Sequence, residues 1–222
     1  MKKGDERKET IIATAKELFC SKGYENTSIQ DILDQLSLSK GCFYHHFESK
    51  GELLEEIAKT HGVGLAAFVR EKVDGCTSAL DKLNTLFEYC SLWRSDDGGI
   101  SQLMLEAAYM GGNAQLKDCL RSILHNTARP LIDEIIAQGM EEKVFLTRYP
   151  ADLGTLILNL YANLSDMLAE TLVKNGDKGL ALTHINMYRS SIETLLCAPF
   201  GSVQLCNFND LIALWNREGQ TK

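Results

Sequence analysis

Lys40, Cys42, Tyr44 and His45 fall on the outer side of a short stretch whose Phe43 and Phe47 turn inward at helical spacing. An ammonium, a thiol, a phenol and an imidazole on one side offer donors and ring surface, with no base-and-nucleophile pair among them. A short helix held by one or two anchors, with polar or small residues outward, is suited to insertion into a groove. Ser39 stands before it as an N-cap. Upstream, Ile29, Ile32, Leu33 and Leu36 recur at three- and four-residue spacing and predict an amphipathic helix. Thr27 is its expected N-cap, which leaves the amides of Ser28 and Ile29 for the cap or an outside anion. Ser37 and Leu38 make the turn between them, with Leu38 as the apolar plug. Two short helices so joined form a helix-turn-helix, whose second helix enters the major groove of DNA.

The run Ile32, Ser39-Lys40-Gly41-Cys42-Phe43-Tyr44-His45-His46-Phe47, Lys50 and Leu53 resembles the N-terminal signature of the tetracycline-repressor (TetR-like) family of transcriptional regulators. Ile11, Ala15, Leu18-Phe19, Gly23-Tyr24 and Thr27-Ser28 fall at that signature's spacings, so the likeness covers about the first fifty-five residues. It departs at Ser37, where the family usually has Gly, at Leu33, usually Ala, and at Cys42, often Ala or a small hydroxyl residue. The resemblance implies that Gln30, Lys40 and Cys42 read bases: Lys40 on guanine acceptors, Gln30 on adenine, Cys42 against a small group such as a thymine methyl. It implies phosphate contacts from Ser28, Tyr44, His45 and Lys50, with Thr27, Ser39 and Gly41 completing the set. His46 reads as packing.

A chain of 222 residues with 45% hydrophobic residues and three prolines holds one large or two small helical domains. No apolar run approaches the roughly 20 residues of a membrane span, and the charged start MKKGDERKET is not a secretory signal; the expectation is a cytoplasmic protein. Seven cysteines without a C-x-x-C pair argue against a zinc site or a disulfide framework, and most read as small core residues. The net charge of −7 is unevenly spread. Residues 1–50 carry eight Lys/Arg and eight Asp/Glu, so the acidity belongs to the rest of the chain. A neutral head gives weak charge steering, and specificity must rest on positioned contacts and dimerisation. The sequence holds no G-x-S-x-G, phosphate loop, H-E-x-x-H or di-iron spacing, and the adjacent His45 and His46 diverge on a helix; no enzyme, metal or cofactor is expected.

Stepping outward from the motif, helices are predicted over 5–22, ending at Gly23, and from Ser49 to about Val73. Lys2, Lys3, Arg7 and Lys8 ahead of the first could form a phosphate-seeking arm or a solvated end. Gly62 and Gly64 interrupt the long helix, for close packing or as a soft point. Beyond it come a helix capped by Ser78, a turn at Asp96-Asp97-Gly98-Gly99, a short apolar helix from Gln102 to Met110, and a long one from Asn113 to Gly139 with a kink at Pro130. Residues 151–173 are apolar nearly all round, followed by helices near 180–197 and 208–217. No run alternates as a strand does, so the class is all-α.

The resulting expectation is a helix-turn-helix domain over 1–50, joined by the helix 50–73 to a helical body over 51–222. A pocket in that body is expected among Phe68, Tyr89, Trp93, Met104, Glu106, Tyr109, Met110, His125 and Tyr161, each of which singly reads as plain core. Glu106 in an apolar helix needs a partner, unless one edge is exposed. Asn159 and Asn163 share a face that is either pocket or seam between subunits. By resemblance, the last long helices form a homodimer interface through Leu153, Leu156, Leu160, Leu164, Met167, Ile185, Tyr188 and Ile192. The function so implied is a dimeric regulator, most simply a repressor, released from a palindromic operator in double-stranded DNA by a largely apolar small molecule. The alternative is a helical small-molecule-binding or catalytic protein whose helix-turn-helix only packs.

Overall fold

The computed structural model describes residues 3–91, 98–173, 176–206 and 212, and among them the chain is helical with no strand. In order these are α1 (Lys3–Lys22), α2 (Ile29–Leu36), α3 (Lys40–Tyr44), α4 (Lys50–Asp74), α5 (Ala79–Tyr89) and α6 (Ile100–Leu105). A π-helical turn (Glu106–Met110) follows, then α7 (Ala114–Glu141), α8 (Leu153–Val173) and α9 (Lys178–Leu196). Contacts divide the chain into two compact units, Met1–His61 with Ser95–Leu120, and Gly62–Arg94 with Arg121–Lys222. Two of the three divisions, at 61/62 and 120/121, fall inside continuous helices, α4 and α7. Trp93, the Asp96-Asp97 half of the expected turn and, apart from Ile212, the expected helix over 208–217 lie outside the described residues.

The first unit is built on the apolar side of α1, where Ile11, Ala15 and Phe19 are buried. Ile32 and Leu33 of α2, Phe43, Phe47, and Leu53, Leu54 and Ile57 of α4 are buried in the same unit. Gly23, at φ +88°, ends α1 and donates its N–H to the Phe19 carbonyl at 3.0 Å. The short apolar helix begins earlier than expected: Gly99 precedes it and Ser101 is buried inside it. Its second half is π rather than α, and the Gly111 N–H closes on the Glu106 carbonyl five residues back. Lys8 is not part of a free arm, because its ammonium lies 2.5 Å from the Glu56 carboxylate.

In the second unit, Ser78 caps α5 by accepting the Asp81 N–H, and Asp177 caps α9 by accepting that of Gly179. α7 continues through Pro130 as one helix, and it does not stop at Gly139. Gly139 is buried in the last turn, where an added Cβ would lie 2.0 Å from the Phe145 ring. The glycine is there for that close approach, and Lys143, at φ +61°, follows the true end of the helix. α8 buries Ile157, Leu158, Tyr161, Leu164 and Leu168, while Leu156, Asn159 and Asn163 remain exposed; one side of this apolar helix is core and the other is not.

The two α4 glycines have different environments. A Cβ on Gly62 would meet Ile123 Cγ2 at 2.7 Å, whereas one on Gly64 would meet nothing within 4 Å. Gly62 is a packing glycine. Gly64 weakens an exposed helix with no neighbour to require it, at a cost of about 1 kcal/mol relative to Ala. Thermal unfolding should therefore separate them. Gly64→Ala should stabilise by up to about 1 kcal/mol, and Gly62→Ala should destabilise by about 1–2 kcal/mol because overpacking outweighs the helix gain.

Candidate nucleic-acid interface

Thr27 does not cap α2. Its side chain is fully buried, and its hydroxyl donates to the Gly23 carbonyl at 2.9 Å, which closes the loop after α1. The cap is Ser28, one residue on, in extended conformation. Its hydroxyl accepts the Asp31 N–H at 3.1 Å while the Asp31 carboxylate accepts the Ser28 N–H at 2.7 Å, a reciprocal capping box. Lys22 pairs with the same carboxylate at 3.1 Å. The Ser28 hydroxyl and amide and the Lys22 ammonium together hold the Asp31 carboxyl well below the usual carboxylate range. Its contribution to stability is thus present above the ordinary carboxylate pKa and lost only on strong acidification through the depressed value. The N-terminus of α2 already has an anion of its own, and the Ser28 hydroxyl, which also donates to Asp31 at 2.6 Å, is occupied.

Ser37 takes the left-handed conformation, φ +53°, so that Leu38 N–H reaches the Leu33 carbonyl at 3.0 Å. This is the turn where glycine is the easier residue. Ser39 then caps α3 by accepting the Cys42 N–H at 3.3 Å. Phe43 is wholly buried, with its ring 5.7 Å from that of Phe47. Lys40, Gly41, Tyr44 and His45 are exposed, Tyr44 by 55%, and Cys42 is half-buried. Gln30, also exposed, donates to Asp34 at 2.7 Å. Lys50 departs from its expected role: its ammonium donates to the Tyr24 and Thr27 carbonyls at 2.9 and 3.0 Å and sits 4.2 Å from the Tyr24 ring centre. An ammonium so placed holds the loop that presents α2, with one of its three N–H donors outside these two bonds.

Residues 11–57 match the model for bacterial regulatory proteins of the tetR family. The head is of the tetR type. Among curated relatives, the transcriptional repressor KstR2 of Mycolicibacterium smegmatis is 32% identical over 81 residues, 36% of this chain and 40% of that protein. The chain spans about two fifths of the length of the first curated relatives it matches. Solved structures share the fold over more of its length. A tetR-family regulator from Pectobacterium atrosepticum superposes with a TM-score of 0.64 at 23% identity, covering 88% of this chain and 97% of the other. FadR of Bacillus subtilis in complex with stearoyl-CoA gives 0.55 at 18% identity, covering 86% and 98%. Among the described residues the chain is all-α, with the tetR-type head followed by a helical C-terminal part.

Beyond the tetR-type head, the expected pocket residues fall in both compact units. Met104, Glu106, Tyr109 and Met110 belong to the first, and Phe68, Tyr89, His125 and Tyr161 to the second. Glu106 is half-buried and accepts from Gln102 at 2.9 Å, so it is an edge carboxylate rather than a buried one. Met110 is 63% exposed. Tyr161 is core: it stacks on Phe87 at 4.9 Å and donates to the Phe87 carbonyl at 2.8 Å, and burial pushes its phenol well up. Phe68 and Tyr89 meet edge to face at 5.3 Å, with the Lys72 ammonium over both rings. Of the expected interface residues, Leu153, Leu164, Ile185 and Ile192 are buried within the chain and are corrected to core. Leu156, Leu160, Met167 and Tyr188 keep surface, joined by Leu180 and Met187, which the sequence reading omitted.

The two lysines of the motif can be told apart by stability alone. Lys50→Ala removes two hydrogen bonds to carbonyls and should destabilise the head by about 2–3 kcal/mol, whereas Lys40→Ala should leave its unfolding unchanged within about 0.5 kcal/mol. Chemical denaturation of the two variants is the check.

Proposed function

We propose that this chain is a homodimeric transcriptional regulator, a repressor that leaves a palindromic operator when a small molecule binds its C-terminal part. The observation that carries this reading is α3: a helix anchored by one fully buried phenylalanine, with Lys40, Gly41, Tyr44 and His45 all turned to solvent inside a tetR-type head. Lys40 and Gln30 reach base edges, with Cys42 as a small contact beside them. Tyr44 and His45 take phosphates, and Ser39 and Gly41 let the backbone approach. With the Ser28 hydroxyl bonded to Asp31 and the Ser28 and Asp31 amides taken in the capping box, phosphate binding at α2 falls to the amides of Ile29 and Gln30.

The outer faces of α8 and α9 support the dimer. Leu156, Leu180 and Met187 are about half exposed, on two helices that pack along each other. Pairing this face with its copy gives C2 symmetry and sets two recognition helices at half-sites about 34 Å apart. An effector held in the body then shifts α4, and with it the half-site spacing; a preference of a few kcal/mol for the released state is sufficient. FadR, of the same fold, is solved with stearoyl-CoA, which supports a largely apolar effector here.

Selection of binding sequences from a random duplex pool tests the reading. The parent should recover a palindrome, and Lys40→Ala/Tyr44→Ala should recover nothing. Recovery of nothing by the parent at low salt would favour the small-molecule-binding alternative, which the head's zero net charge supports. A second test addresses assembly. Leu156→Asp with Met187→Asp should convert a dimer to a monomer in sedimentation and weaken operator binding roughly 100-fold or more through lost avidity.

A further inference from the structure

A cavity of about 460 Å³ in the second unit lies between α5, α9 and the extended segment after α9. Its size is in the range of small-molecule sites, roughly 300–1,000 Å³. The segment that forms one wall is firmly held. Asn84 of α5 donates to the Ser202 carbonyl at 3.0 Å and accepts the Gln204 N–H at 2.8 Å. Glu193 of α9, buried at 3% exposure, accepts the Val203 N–H at 3.0 Å. The wall is therefore formed before any ligand arrives.

Two opposite charges line this cavity, Glu88 and Arg189. They form no ion pair within 4.0 Å with each other or with any described residue. The Nε of Arg189 is buried and has no hydrogen-bond partner, and one helical turn on, Glu193 Oε2 is in the same condition. A buried N–H left unpaired is costly, and that of Arg189, a residue lining the cavity, marks a place for a ligand acceptor. A simple anion at Arg189 would face the Glu88 carboxylate, and a simple cation at Glu88 would face the guanidinium. Glu88 is exposed and already served by water, and a molecule bearing both charges complements the two at once. Ile185, Val203 and Leu205 supply apolar wall beside them.

We propose that this cavity binds a free amino acid with an apolar side chain, its carboxylate on Arg189 and its ammonium on Glu88. The site goes beyond the regulatory reading above and stands or falls independently of DNA binding. It is tested on the full chain by thermal unfolding with about 10 mM L-leucine, L-isoleucine or L-phenylalanine, beside isovalerate and isoamylamine as one-charge analogues. At least one amino acid should raise Tm by about 2–4 °C, with both analogues well below it. Arg189→Gln and Glu88→Gln should each abolish that ligand-dependent shift. Both residues have solvent-exposed surface, and each variant is compared with itself without ligand, so loss of one to misfolding leaves the other. No shift with any of the three amino acids, an equal shift with isovalerate or isoamylamine, or a shift that survives in a folded variant overturns the proposal.

Discussion

The head depends on one ammonium. Lys50, at the start of α4, reaches back to two carbonyls of the loop between α1 and α2 and lies against the Tyr24 ring. Loop carbonyls that point inward must find donors, and here one lysine serves two of them. Thr27 closes the same loop from within, through its hydroxyl on Gly23. Between them these contacts decide where Ser28 lies, hence where α2 starts, and through the Ser37 turn where α3 emerges. A helix of five residues has too little length to hold itself, and the position of α3 is inherited from this loop and from the buried Phe43.

The all-α class, the order of the helices and the outward face of α3 were legible in the sequence because each rests on periodicity, which survives small errors of boundary. What periodicity does not carry was missed or shifted. Thr27 and Ser28 are both good caps, and only the Ser28-x-x-Asp31 pairing, a capping box visible in the sequence, favours the second. Gly139 reads as a helix stop until Phe145, six residues on, is found against it. The uneven burial of the expected interface residues has the same origin. An apolar stripe on α8 or α9 states that a residue is buried by something, and only the packing of the two helices on their own unit distinguishes Leu164, which is core, from Leu156, which is not. Glu106 was legible as an anomaly, but its exposed edge and its Gln102 partner were not.

The head's neutrality has a stronger consequence once its pairs are known. Lys8 is taken by Glu56, Lys22 by Asp31 and Lys50 by carbonyls. Among its described cations, Arg7, Lys16 and Lys40 are exposed and carry no such pairing. Each phosphate neutralised by a protein cation contributes close to one counterion to the salt dependence of binding. A head with so few cations to offer gains little from the duplex as a polyanion, and on the proposed reading a single head holds DNA weakly. Affinity must then come from two heads engaging at once, and the effector needs only to disturb their spacing, not to compete for the DNA surface. On that reading, weak single-head binding is what lets a small ligand control occupancy.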